Sequence, residues 1–171
     1  MAILLLIYDT VNPRIREMRK NFARHRALKP LSHEHEEVLL LCSKIGEGLQ
    51  SEVEIKRIKK YADWLKVEYL DPHFELERKY VFPILGNHNF RIRRALANHR
   101  RLNRLFEEKS NLQIVLNKIE EEIGSYIRFE ERILYNEIQK VASADELKFI
   151  EKVHHEISFS EDAWDDRFWL S

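Results

Sequence analysis

Tyr69-Leu70-Asp71-Pro72-His73-Phe74-Glu75-Leu76-Glu77 is the stretch around which this chain is best read. His73 and Glu77 stand four residues apart, so on a helix they leave one face about one turn apart. That face is otherwise apolar. Ile55, Ile58, Ala62, Leu65, Tyr69, Leu76 and Tyr80 keep the step of a buried helical stripe. An imidazole and a carboxylate inside such a stripe need a partner there, because a bare buried carboxylate is strongly destabilising. A bound cation is one such partner, and a hydrogen-bonded pair is the ordinary one.

Working outward, the same interruption recurs on other predicted helices. A first long helix is expected from Ser32, a suitable N-cap, to about Leu49, weakened by Gly46 and Gly48. Its stripe is Leu31, His35, Val38, Leu39, Cys42, Ile45 and Leu49. The second opens at Ser51-Glu52-Val53-Glu54, a capping-box spacing. It runs to about Phe82 with a kink or break at Asp71-Pro72, and Pro83 and Gly86-Asn87 end it. The third, from about His88 to Glu108, carries Ile92, Ala95, Leu96, His99, Leu102 and Phe106 on one face. Its other face is basic, and solvation is the default reading. The fourth opens with a second capping-box spacing, Ser110-Asn111-Leu112-Gln113, and runs to about Gln139. Tyr126 and Glu130 lie in its stripe between Ile123 and Leu134.

Composition bounds the rest. A length of 171 residues suits one domain with one core. Four Gly and four Pro with 34% charged residues suit long amphipathic helices. Charges balance at 29 against 29, so nothing pulls the chain globally toward nucleic acid or an acidic membrane. The lone Cys42 excludes an internal disulfide framework or thiolate-rich cluster and fits a reducing, cytoplasmic setting. Met1 to Tyr8 is apolar but too short to span a bilayer and lacks a basic n-region, so a core-docking or floppy N-terminal segment is expected.

Three parts follow. Residues 1–30 form an N-terminal extension with a short basic helix from Arg14 to about Arg26. Residues 31–140 form an all-α, up-down-up-down four-helix bundle. Residues 141–171 add a short helix from Ser143 to about His155, then an acidic aromatic tail. In that tail Trp164, Phe168 and Trp169 pack on the bundle or in a homodimer contact. His25, His33, His88, His154 and His155 read as solvated or capping, and Cys42 as a small buried hydrophobe.

In such a bundle, His73 and Glu77 lie about ten and six residues from one end, His99 about eleven, and Tyr126 and Glu130 about thirteen and nine. At about 1.5 Å per residue these groups fall within about one to two turns of one another. His35, only about three residues in, is the outlier. A twofold echo runs through the set: His35 then His73 with Glu77, and His99 then Tyr126 with Glu130. Two carboxylates and several imidazoles in a bundle core suit a pair of iron or manganese ions.

Leu31-Ser32-His33-Glu34-His35, His73-Phe74-Glu75-Leu76-Glu77, Asn98-His99-Arg100-Arg101-Leu102 and Tyr126-Ile127-Arg128-Phe129-Glu130-Glu131 together resemble the haemerythrin-like cation-binding family over roughly residues 31 to 140. The resemblance implies a four-helix bundle with a non-haem di-iron centre. His35, His73, Glu77, His99 and Glu130 match ligand positions, and Glu77 and Glu130 match the bridging carboxylates. Tyr126 stands where the family usually has histidine, as a phenolate ligand, a hydrogen-bond partner of Glu130 or a core tyrosine. Asn103 is likewise not the extra histidine of the oxygen carriers.

The functional expectation is therefore a protein with two iron (or manganese) ions that binds or senses oxygen, nitric oxide or peroxide. The alternative is a metal-free or mononuclear bundle serving as an interaction module. No nucleophile with a positioned base and no phosphate loop stands out, so any turnover would belong to the metal centre.

Overall fold

The computed structural model describes residues 24–154 and 163–170. The expected segment Met1–Tyr8, most of the expected basic helix and His155 lie outside the described residues. Arg26–Leu28, at the end of that expected helix, is a single 3-10 turn.

The chain folds as a helical bundle, with no strand among the described residues. Helix α1 spans Lys29–Gln50. A second run is continuous from α2 (Ile55–Leu65) through a widened, π-type turn at Lys66–Leu70 into α3 (Asp71–Leu76). It continues through another widened turn at Glu77–Val81 and a closing 3-10 turn at Phe82–Ile84. Helix α4 is Phe90–Glu107. A last long run joins α5 (Leu112–Phe129) through a third widened turn, Glu130–Leu134, to α6 (Tyr135–Val141). Helix α7 is Ala144–Val153, and Phe168–Leu170 forms a short turn.

Local chemistry explains several boundaries, including some that differ from expectation. Pro30 sits in the first turn of α1, where a missing N–H is harmless, so the helix starts at Lys29 and Ser32 is not its cap. The Ser32 hydroxyl instead donates to Glu131 Oε2 at 3.1 Å. That earlier start carries His35 about one turn deeper than the sequence implies, which removes the outlier. Ser51 closes α1, its N–H on Glu47 O at 3.0 Å, rather than opening α2. Asn111, in the left-handed region at φ 49°, precedes α5, while the Ser110 hydroxyl bonds Glu108 Oε1 at 2.7 Å. At Asn89 and Ser143, by contrast, side chains do cap α4 and α7, the latter as a full capping box.

No break occurs at Pro72. Its ring would strike the carbonyl four residues back in a regular helix. The widened turn before it avoids this, with Asp71 N–H reaching back five residues to Lys66 O.

Helix α1 packs on α2 and α5, and α4 on α5, around one apolar core. Two glycines of α1 mark close approaches rather than weak points. A Cβ at Gly46 would lie 2.6 Å from Glu120 Oε2, and one at Gly48 2.6 Å from the Phe168 ring. Phe168 is fully buried, and Tyr61 meets Trp64, Trp164, Phe168 and Trp169. Arg57 holds Asp166 with two bonds, at 2.6 and 3.0 Å. At the other end α7 packs on the Arg26–Leu28 turn. Of the basic α4 face, Arg91 pairs with Glu137, Arg101 with Glu122, and Arg94 covers the Phe129 ring. No helix among the described residues is long and apolar enough to cross a membrane.

Candidate metal centre

Stripe periodicity drives His35 of α1, His73 of α3, His99 of α4 and Tyr126 of α5 inward, with Glu77 and Glu130 at the first residue of two widened turns. Glu77 and Glu130 are fully buried, and the three histidines and Tyr126 nearly so. Among the described residues, one donor atom each from His35, His73, Glu77 and Glu130 lie within 4.8 Å of one another. His35 Nε2 is 3.0 Å from His73 Nε2 and 3.2 Å from Glu130 Oε2. His73 Nε2 is 3.6 Å from Glu77 Oε1.

His99 and Tyr126 adjoin this group on the other side of the two carboxylates. His99 Nε2 lies 3.4 Å from Glu77 Oε2 and 2.5 Å from the Tyr126 hydroxyl oxygen. The Tyr126 hydroxyl donates to Glu130 Oε1 and stands 3.4 Å from Glu77 Oε2. Phe74 stacks on the His99 ring at 3.8 Å. Asn103 has its side-chain oxygen buried with no hydrogen-bond partner. A void of about 10 Å³, lined by His35, His73, Phe74, Tyr126, Glu130 and apolar neighbours, lies beside the donors. That is on the scale of one water-sized occupant.

Two further carboxylates, assigned no role from the sequence, orient the imidazoles. Glu131 Oε1 accepts from His35 Nδ1 at 2.7 Å, and Glu34 Oε2 from His73 Nδ1 at 2.6 Å. Each therefore holds its ring with the proton on Nδ1 and the Nε2 lone pair inward. Glu34 and Glu131 each sit beside a site residue in the chain, and that adjacency was their only signal. Tyr135, also unassigned, donates to Glu77 Oε1 at 2.7 Å and stacks on His35. It follows Glu130 by five residues, a spacing that an α-helix would aim elsewhere but a widened turn realigns.

His154, expected to be solvated or capping, is buried with Nε2 3.0 Å from Glu34 Oε1, because α7 docks on the Arg26–Leu28 turn that leads into α1. His33 and His88 are exposed, and His25 caps the 3-10 turn by accepting from Ala27 N–H at 3.2 Å. Cys42 is buried, its thiol pushed up by burial and by Glu120.

The charges show what the donors lack. Burial would raise Glu77, but the imidazoles of His73 and His99 more than offset it and hold its carboxyl well below the usual range. Burial, then the charge of Glu77, pushes Glu130 well above it. Burial would lower His73, yet Glu77 and Glu34 raise it to about 9. Burial lowers His99. Burial and the nearby carboxylates raise Tyr126 well above the ordinary phenol. Burial would also raise Glu34 and Glu131; their hydrogen-bonded partners bring both down to about 2.

A cation fits this set. Two imidazole lone pairs cannot face each other at 3.0 Å without a positive charge between or on them. The proton that His73 retains is the minimal version of that charge. Buried Glu130 Oε2 has no hydrogen bond at all, an omission that a native interior seldom tolerates without an ion or water. Two nitrogens and two carboxylates suit iron, manganese or zinc.

A protein-family model described as hemerythrin HHE cation binding domain matches residues 26–113, just over half of the chain. The match takes in His35, His73, Glu77 and His99 and ends before Tyr126 and Glu130. No curated protein and no solved structure matches.

Proposed function

The chain belongs to the haemerythrin HHE cation-binding family, and on that premise we propose that it is a non-haem metal protein with iron, or manganese, at a carboxylate-bridged site. His35, His73, Glu77 and Glu130 would hold one ion, and His99 and Tyr126, which adjoin the same two carboxylates, would hold a second, for a full complement of two. The up-down-up-down course of the long helical runs and a cytoplasmic setting belong to the same reading.

The observation that carries it is the orphaned Glu130 Oε2 beside two imidazole nitrogens that face each other across 3.0 Å. Iron or manganese there would supply an open coordination position and one-electron chemistry for a small ligand such as oxygen, nitric oxide or peroxide. The protein's own groups do the rest. Glu77 and Glu130 offset cationic charge, and Glu34 and Glu131 fix two tautomers. Phe74, Leu102 and Ile123 wall the void with apolar surface. In the metal-free site Tyr126 keeps its proton and donates it in a hydrogen bond to Glu130; as a ligand at the second position it would release that proton.

One observation favours a smaller complement. The 2.5 Å contact between His99 and Tyr126 satisfies the second position internally, so a mononuclear site is the competing form. A metal-free interaction module is less well supported, since it leaves the Glu130 oxygen unexplained. Elemental analysis of the purified protein separates these readings. Two equivalents of iron or manganese per chain are expected, one would establish the mononuclear form, and none above background would overturn the metal reading.

A further inference from the structure

The two imidazoles that face each other are each held by a carboxylate, and each of those carboxylates has a second oxygen with a partner of its own. Glu131 Oε1 goes to His35, while Oε2 lies 2.8 Å from Arg24 Nη2. The same Arg24 nitrogen reaches the Glu131 carbonyl oxygen at 2.7 Å, and Nη1 reaches Asn136 Oδ1 at 3.2 Å. The guanidinium also lies over the Tyr135 ring, 5.4 Å from its centroid. Glu34 Oε2 goes to His73, while Oε1 lies 3.0 Å from His154 Nε2, an ion-pair contact that is not aligned as a hydrogen bond. Both outer pairs are shielded from water. Side-chain exposure is 8% and 12% for Arg24 and Glu131, and 5% and 2% for His154 and Glu34.

Arg24 and His154 come from opposite flanks of the chain, and both lie outside the stretch matched by the family model. Neither is a proposed ligand. The docking of α7 on the Arg26–Leu28 turn brings both flanks to the same end of the bundle. We propose that Arg24 and His154 are positioning residues for the metal, each bracing the carboxylate that orients one of the two facing imidazoles. This rests on the metal-binding reading above.

The physical reason lies in the imidazole tautomer. A histidine offers Nε2 to a metal only while its other nitrogen keeps the proton, and the carboxylate on Nδ1 enforces this. A buried carboxylate whose second oxygen loses its partner turns toward another donor and stops doing so. Arg24 and His154 are the charge-bearing partners of that second oxygen, which on Glu131 also accepts from the Ser32 hydroxyl at 3.1 Å. In this way the flanking segments set the affinity of a site to which they supply no ligand.

The test is metal affinity in the full-length protein, with manganese(II) competed against a chelator. His154→Phe keeps a ring and loses the nitrogen, and His154→Gln keeps a donor. Arg24→Met keeps the stem and loses the fork. His154→Phe and Arg24→Met are each expected to weaken binding about 10-fold, the lower end of the effect of removing an outer partner. Together they should reach about 100-fold, because they act on different imidazoles. His154→Gln should bind as the wild type does. His154→Phe added to Glu34→Gln should cost nothing further, since the arm is already broken.

A merely structural role would not give that pattern. Wild-type affinity in His154→Phe and Arg24→Met would overturn the proposal and leave the metal site standing. So would His154→Gln binding as weakly as His154→Phe, or full multiplication of losses within one arm. Absence of manganese binding by the wild-type protein would instead remove the metal reading, and the proposal with it.

Discussion

Around His35 and His73 each Nδ1 meets a carboxylate and each Nε2 looks inward, whereas His99 has Nδ1 buried without any partner and Nε2 against a phenol. The two halves share Glu77 and Glu130, and each of these opens a widened turn. They differ in what completes them. The first half is preorganised for a cation, with rings fixed from behind and two carboxylates in front. In the second half, Tyr126 joins His99 Nε2 to Glu130 by its own hydrogen bonds, while His99 Nδ1 and Asn103 Oδ1 have none. On the proposed reading, two positions that share both carboxylates are still unequal, because orientation from the outer layer favours the half that has it.

That inequality can be broken most directly by truncation. His73→Ala is expected to weaken the tighter metal equivalent by about 100-fold or more, about 2.7 kcal/mol. His99→Ala should leave that equivalent within about 10-fold and remove only the weaker one. Equilibrium titration of iron(II) or manganese(II) into both variants reads this. Equal losses would mean that the halves are equivalent and the outer carboxylates irrelevant.

Periodicity alone made the inner residues legible. His73, Glu77, His99 and Glu130 interrupt apolar stripes, and an interruption in a stripe is visible without any partner in view. The helix starts were less legible. Ser32, Ser51 and Ser110 have the right identity for caps, but Pro30 starts α1 earlier, Ser51 closes a helix, and Ser110 bonds Glu108. Short-range patterns cannot see such competitors. The outer layer left no trace beyond the adjacency of Glu34 and Glu131 to site residues. Glu34 reads as one more surface glutamate until α7 folds back from over a hundred residues along the chain. Tyr135 has the wrong spacing until a widened turn corrects it.

Stability sharpens the same comparison. Metal that binds only the native state stabilises it by mass action, by about 2.7 kcal/mol at a hundredfold excess over Kd. For a chain of this size that is about 5 to 10 °C in Tm, at about 2–4 °C per kcal/mol. Chelation should therefore lower the wild-type Tm by that amount. His99→Ala should keep most of the shift and His73→Ala should lose it, as read by thermal melts with and without chelator. A shift that survives in His73→Ala would move the tighter position to the other half.

The smallest expected effect concerns protons, and it distinguishes the halves by their charge. In the metal-free site, burial disfavours the charged His73, but Glu77 and Glu34 raise it to about 9. Below that pH it carries a proton that an incoming cation must displace, so affinity should rise with pH and level off near 9. The slope from this ring is about one decade per pH unit, about 1.4 kcal/mol. Glu130, raised well above its ordinary value, acts in the same direction. His99 is lowered by burial and is already neutral at pH 7, so it contributes no slope there. Calorimetry in two buffers of different ionisation enthalpy counts the protons released. His99→Ala should release as many as the wild type, and Glu34→Gln fewer, because it removes one of the groups that raise His73. Metal binding without proton release between pH 6.5 and 8 would mean that no proton holds the place of the cation between the two facing rings.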